Sequence, residues 1–150
     1  MKLIRSISGD SGFDEEYGSV CDFWYGLNVL GQRGIGEVRS NFRCWVKRPA
    51  CQSFRGEHAS RQIQNLCRRS PVFTQQPWQT MKIKDTTRGE RTWQWKAARV
   101  HLVEYADEKR TIPQPTDRPY WLIYARQPAT GEIKYFVSNA AANASMQDML

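Results

Sequence analysis

Histidine is scarce in this chain, paired cysteines are missing and no apolar run is long, and each shortage rules something out. Only two histidines occur, and the four cysteines, Cys21, Cys44, Cys51 and Cys67, form no C-x-x-C pair. Their spacings fit no zinc pattern, which excludes a structural zinc module. Residues 1–8 hold two basic groups but no apolar stretch of signal-peptide length, so a disulfide framework of the secreted kind is not expected. No stretch approaches the roughly 20 apolar residues that span a bilayer. No internal repeat or low-complexity tract is visible. Gly34-x-Gly36 is not a phosphate loop, because no helix start with the required glycines follows it. A soluble, cytoplasmic protein without a membrane partner is the expectation, and no chemistry is assigned to the thiols.

What is present is enough to fold. At 150 residues the chain suits one domain with a real core, and its 40% hydrophobic and 12% aromatic content argues against disorder. The charge is segregated. Residues 1–32 hold two basic and five acidic groups, a net of −3; residues 33–69 hold nine and two, a net of +7; residues 70–150 hold eleven and eight, a net of +3. The middle block carries the basic excess, and a polyanion is its natural partner, because each neutralised phosphate releases counterions. Arg39, Arg43, Lys47 and Arg48 are the candidate phosphate contacts, with Trp45 available to stack on a base. The alternative is a core Trp45 and solvated cations.

Hydrophobic spacing sets the expected elements. Leu3–Ile7 is a short strand leading into a Gly9–Gly12 turn. Val20, Phe23, Trp24, Leu27 and Leu30 recur at three and four, which predicts one helix face, with Gly31 and Gly34 as the stop. Residues 35–38 read as a second strand, and 47–69 as an irregular loop with a helical turn near 62–67. Residues 81–85 alternate as a strand, and a hairpin turn at 86–90 leads into a long strand over 92–105, with a bulge expected near Ala98. Residues 107–117 read as a polar loop containing Pro113 and Pro115. Residues 120–125 and 132–137 form a strand pair, and Ser145 is a candidate N-cap. Trp93 and Trp95 share one strand face and are expected in the core. Lys82 and Lys84 share another face, which suits either solvent or DNA.

At this point the residues resemble a family. Gln64-Asn65-Leu66, Ser70-Pro71-Val72-Phe73, Trp78-Gln79, Ile83-Lys84-Asp85-Thr86 and Gly89 resemble the middle of insertion-sequence transposases of the DDE superfamily. So do Trp121-Leu122-Ile123-Tyr124-Ala125-Arg126 and the run from Thr130 to Asn139. Phe13-Asp14-Glu15-Glu16-Tyr17-Gly18 is similar to the segment that holds that family's second catalytic Asp. The resemblance covers nearly all of residues 13–150.

It implies an α/β chain: part of a ribonuclease-H-like fold followed by a mostly antiparallel, β-rich insertion. Residues 1–46 would be the partial catalytic core, 47–138 the insertion with its basic loop, and 139–150 the start of a core helix. It also implies Mg²⁺, DNA at transposon ends and target, a homo-oligomer of the intact enzyme, and metal-dependent DNA cleavage and strand transfer. In that chemistry three carboxylates hold two Mg²⁺ ions, one activating the nucleophile and the other stabilising the leaving oxygen. Only Asp14 carries over as a catalytic and metal-binding residue. The family's first Asp is expected upstream of residue 1 and its Glu beyond Leu150, so the chain reads as an internal fragment that is inactive alone. On its own pattern Asp14 also suits an N-cap or a surface charge, and Glu15 and Glu16 suit first-turn charges. The alternative function is a non-catalytic basic remnant that binds nucleic acid or a partner protein.

Overall fold

Alternation at period two makes strands, and this chain has more of it than of anything else. A computed structural model describes residues 2–4, 31, 33–50, 53–85 and 89–145. Among these, nine strands join one sheet: β1 (Lys2–Ile4), β2 (Gly34–Val38), β3 (Arg43–Trp45), β4 (Arg61–Gln62), β5 (Gln79–Asp85), β6 (Gly89–Tyr105), β7 (Pro113–Pro115), β8 (Tyr120–Arg126) and β9 (Ile133–Ser138). The described helices are α1 (Ile63–Arg69) and α2 (Pro71–Thr74), with a 3₁₀ turn at Gly56–His58. The main path of the sheet runs β1-β2-β9-β8-β6-β3-β4, with β5 and β7 also paired to β6. β1 and β2 are parallel, and the other described pairings are antiparallel.

The seventeen-residue β6 organises this arrangement. Its first part pairs with β5 from Gly89 to Trp95, its middle with β8 from Gln94 to Val100, and its end with β3 and β7. A gap remains on one edge between β5 and β3, and a side chain fills it. Gln76 donates from Nε2 to the Ala97 carbonyl at 2.9 Å and accepts from the Ala97 N–H at 3.3 Å, so its amide stands in for a strand backbone. The prolines of β7 suit a short outer strand, where a missing N–H breaks no central ladder.

The bulge expected near Ala98 is absent. The β6–β8 register is unbroken from Gln94↔Arg126 to Val100↔Tyr120. The shift in alternation is instead a change of face. Ala98, Val100 and Leu102 point into one buried cluster with Leu122, Tyr135 and Val137. Trp95 and Ala97 pack on the opposite cluster with Ile35, Ile123 and Ala140. Both faces of the sheet centre are therefore covered, which a single alternating face cannot reveal.

α1 and α2 cover the first face. α1 is seven residues long and has no side-chain N-cap, too little for an isolated helix. It is held by Ile63 and Cys67, four apart and both buried in the first cluster. Pro71 starts α2, where a missing N–H costs nothing, and buried Phe73 docks it.

These observations correct the expected fold class. An α/β, ribonuclease-H-like core needs helices layered on a mixed sheet with parallel crossovers, whereas the described residues have only two short α-helices and one parallel pair, β1–β2. Here β2, expected in that core, pairs antiparallel with β9 from Ile35↔Ser138 to Val38↔Tyr135. One mostly antiparallel sheet runs across residue 46 and takes in β2, β3 and the strands of 79–138. The expected class fails in residues 1–46, where β2 and β3 join the antiparallel sheet through β9 and β6; antiparallel strands over 79–138 were expected of the insertion. The helix expected over 20–30 and the turn residues 86–88 lie outside the described residues.

Candidate nucleic-acid interface

The basic block folds so that its charges face water. Arg33, Arg39, Arg43, Lys47, Arg48, Arg55, Arg61, Arg68 and Arg69 are all exposed. Buried residues alternate with them: Val38 precedes Arg39, Cys44 and Trp45 follow Arg43, and Cys67 precedes Arg68. A tight turn, with Phe42 N–H donating to the Arg39 carbonyl at 3.0 Å, places Arg39 between β2 and β3.

The four cations named from sequence are not equivalent. Arg43 donates from Nε to Ser60 Oγ at 3.0 Å and from a terminal nitrogen to the Ser60 carbonyl, tying β3 to the approach of β4. Arg48 donates to the Pro115 carbonyl at 2.8 Å, faces Asp117 at 3.5 Å and lies 5.8 Å from the Phe54 ring centre. Both guanidiniums hold backbone segments together while keeping part of their surface in solvent. Lys47 is simply exposed. Trp45 takes its core alternative: it is 5% exposed, donates Nε1–H to the His58 carbonyl at 2.8 Å and meets Phe54 edge-on. It offers no open face for a base. Lys82 is exposed on β5, and no side-chain placement is described for Lys84.

Two further constellations were not anticipated. The first gathers on Trp78. The Arg126 guanidinium lies 3.9 Å and the Lys96 ammonium 4.6 Å from its ring centre, Tyr124 tilts against it at 5.1 Å, and Tyr135 stacks on Tyr124. Gln94 Oε1 accepts from Arg126 Nε at 2.7 Å. Lys96 is only 8% exposed, so its charge rests against the negative face of an aromatic ring. The nearby Cys67 thiol is pushed up to about 12 by burial, against a smaller downward pull from Lys96.

The second is a pocket of about 430 Å³ where β2 and β8 begin and β9 ends, lined by Gly31, Arg33, Arg99, Arg118, Asn139, Ala140 and Ala141. Arg99 is fixed by three contacts. It donates at 3.0 Å to the Pro119 and Ala140 carbonyls, and its guanidinium covers the Trp121 ring at 5.1 Å. Its buried Nε has no hydrogen-bond partner among the described residues. Burial, and then the Arg118 charge, lower the Arg99 pKa from its usual value. Trp121 Nε1–H donates to the Ala141 carbonyl at 2.9 Å, and Asn139 Oδ1 accepts from the Gly34 N–H at 2.8 Å, so the pocket wall is braced. Gly31 sits at φ 68°, a left-handed conformation that favours glycine. Sequence reasoning missed this pocket because its arginines lie 66 and 19 residues apart, and the β6–β8, β8–β9 and β2–β9 pairings bring them together.

Asp14 lies outside the described residues. Among those that are described, no group of three His, Cys, Asp or Glu side chains is placed to hold a metal. The residues in view therefore do not fit a two-Mg²⁺ site. No helix among them is long and apolar enough to cross a membrane. No protein family, curated protein or solved structure matches the chain. Fold and site together define a basic, mostly antiparallel β-sheet domain with an arginine-lined pocket at one end of the sheet.

Proposed function

We propose that this chain is a non-catalytic basic domain that binds nucleic acid through phosphates. The observation that carries the proposal is the exposure of all nine cations of residues 33–69, against only two acidic groups in the same block. One of those acids, Glu57, already faces His58 at 3.5 Å. Such a surface draws polyanions by counterion release and reads no sequence. The transposase resemblance makes DNA the polymer to test first. Its cutting and joining chemistry is not included, because two-metal catalysis needs several converging carboxylates, and the α/β core expected to gather them is not the fold observed.

The test is anisotropy titration of two unrelated duplexes over a salt series. Equal affinities are expected, with log K falling linearly with log salt by about 0.9 per phosphate contact. Lys47→Ala and Arg68→Ala should each reduce that slope by roughly 0.9 if each residue neutralises one phosphate. Arg43 and Arg48 are poor probes, since removing either also cuts a backbone tie. Absence of binding at low salt, or a flat salt response, would refute the proposal.

A further inference from the structure

We propose that the pocket of Arg33, Arg99 and Arg118 holds the terminal phosphomonoester of a nucleic-acid strand; this deepens the reading above and rests on it. The pocket is concave, and about 430 Å³ lies in the range of small-ligand sites. A duplex passing over the surface presents internal phosphates on its convex outside, each with one charge and esters on both sides. A terminal phosphate differs in two ways. It enters a recess from one side only, and it presents three free oxygens with close to two charges at neutral pH. Arg33 and Arg118 can each fork onto two oxygens, and Arg99, held by two carbonyls, adds a fixed positive charge.

Arg99 makes the pocket specific to an anion. Two of its nitrogens are already committed to the Pro119 and Ala140 carbonyls, which fix the plane of the group. Its buried Nε–H remains as a donor without an acceptor among the described residues. That atom has no open surface, so Arg99 meets an anion through its charge and not through Nε. Arg99 and Arg118 also repel one another. An anion held between them removes the repulsion. None of the described lining residues is acidic, so no described carboxylate already fills this role.

The experiment uses the full chain and one single-stranded 12-mer in three forms: 5′-phosphorylated, 3′-phosphorylated and with hydroxyls at both ends. Affinity is read by anisotropy at fixed salt, from pH 7.5 to pH 5.5. At least one phosphorylated form should bind about tenfold tighter than the hydroxyl form, the scale of one added charge-assisted contact. That ratio should shrink as the pH falls through about 6, where the phosphomonoester loses its second charge. Inorganic phosphate should erase the ratio by competition. Arg118→Gln should abolish it; Arg118 is exposed and its carbonyl, not its side chain, accepts from Thr116, so this variant keeps that contact. Arg33→Gln serves as the second variant. Equal affinity for all three strands would overturn the pocket proposal and leave phosphate-driven binding standing. A ratio that survives both variants would also overturn it. Failure of every strand to bind at low salt would overturn both readings.

Discussion

Phe73 is the residue on which the helical cover of the sheet depends, and Phe73→Ala tests that directly. α2 is a single turn of four residues and has no independent stability. Phe73 is fully buried in the cluster that also contains Ile63 and Cys67 of α1, Val100 and Leu102 of β6, and Tyr120 and Leu122 of β8. Truncation removes the ring from this cluster and leaves a cavity, at a cost of about 3–5 kcal/mol. Against a typical domain stability of about 5–15 kcal/mol, that is a large fraction. The melting temperature should drop by on the order of 10 °C. Val72 supplies the control: it is the preceding residue, on the same turn, but 36% exposed. Val72→Ala should stay within about 0.5 kcal/mol of the parent. Urea unfolding followed by tryptophan fluorescence gives both values, with C_m shifts compared at unchanged m. Similar losses in the two variants, or a Phe73→Ala cost below about 1.5 kcal/mol, would show that α2 is not docked as described. The result also bears on binding, since α1 presents Arg68 and Arg69 beside this anchor.

Other outcomes follow from single contacts. Gln76→Ala should cost about 1–3 kcal/mol, because it strips partners from both backbone groups of Ala97, and amide exchange at Ala97 should speed up. Cys44 and Cys67 are buried and both thiols are pushed up, chiefly by burial, so iodoacetamide at pH 8 should leave them unmodified in the native chain and alkylate them in urea. Asp107 accepts from the Thr111 hydroxyl and from the amides of Thr111 and Ile112, which lowers its pKa. A lowered acid contributes its stabilisation above the unfolded value of about 3.9 and loses it as pH falls through the folded value. The Ile112 amide resonance should therefore shift below about pH 4, and that transition should vanish in Asp107→Asn. Incubated with Mg²⁺ or Mn²⁺ and DNA, the purified chain should neither cut nor join strands; cleavage that disappears in Asp14→Ala would contradict this.

The strands were legible where one face alternates cleanly. Residues 81–85 announce themselves by period two, 120–125 by an unbroken apolar run and 132–137 as its returning partner, and the observed β5, β8 and β9 fall on them. β6 was legible in extent but not in detail, because its apolar residues change face midway and imitate a bulge. α1 was visible only as a helical turn, since two buried positions in seven residues are too few for a period. β7 hides in a polar stretch because Pro113 and Pro115 usually mark a loop. The fold class is not legible for a different reason: local motifs carry a resemblance to a family, but they do not encode which strands pair. The exposed cations were legible as charge. Their division into structural ties and free surface was not, because that depends on what Arg43 and Arg48 meet across the fold. The arginine pocket depends on register alone, and nothing in the sequence around Arg99 signals it.

The pairing of β2 with β9 has a consequence for synthesis. Ile35 and Ser138 are about 100 residues apart in the chain yet adjacent in the sheet. At translation rates of roughly 5–20 residues per second, β2 leaves the ribosome on the order of 5–20 s before its antiparallel partner exists. During that interval an apolar strand with an open edge is available to any other extended segment. The hairpins β5–β6 and β8–β9 close as soon as they emerge, because their partners are near in sequence. β9, the last of the described strands to arrive, thus completes the sheet for β2, and β2 is the part of the nascent chain most exposed to wrong pairing in that interval.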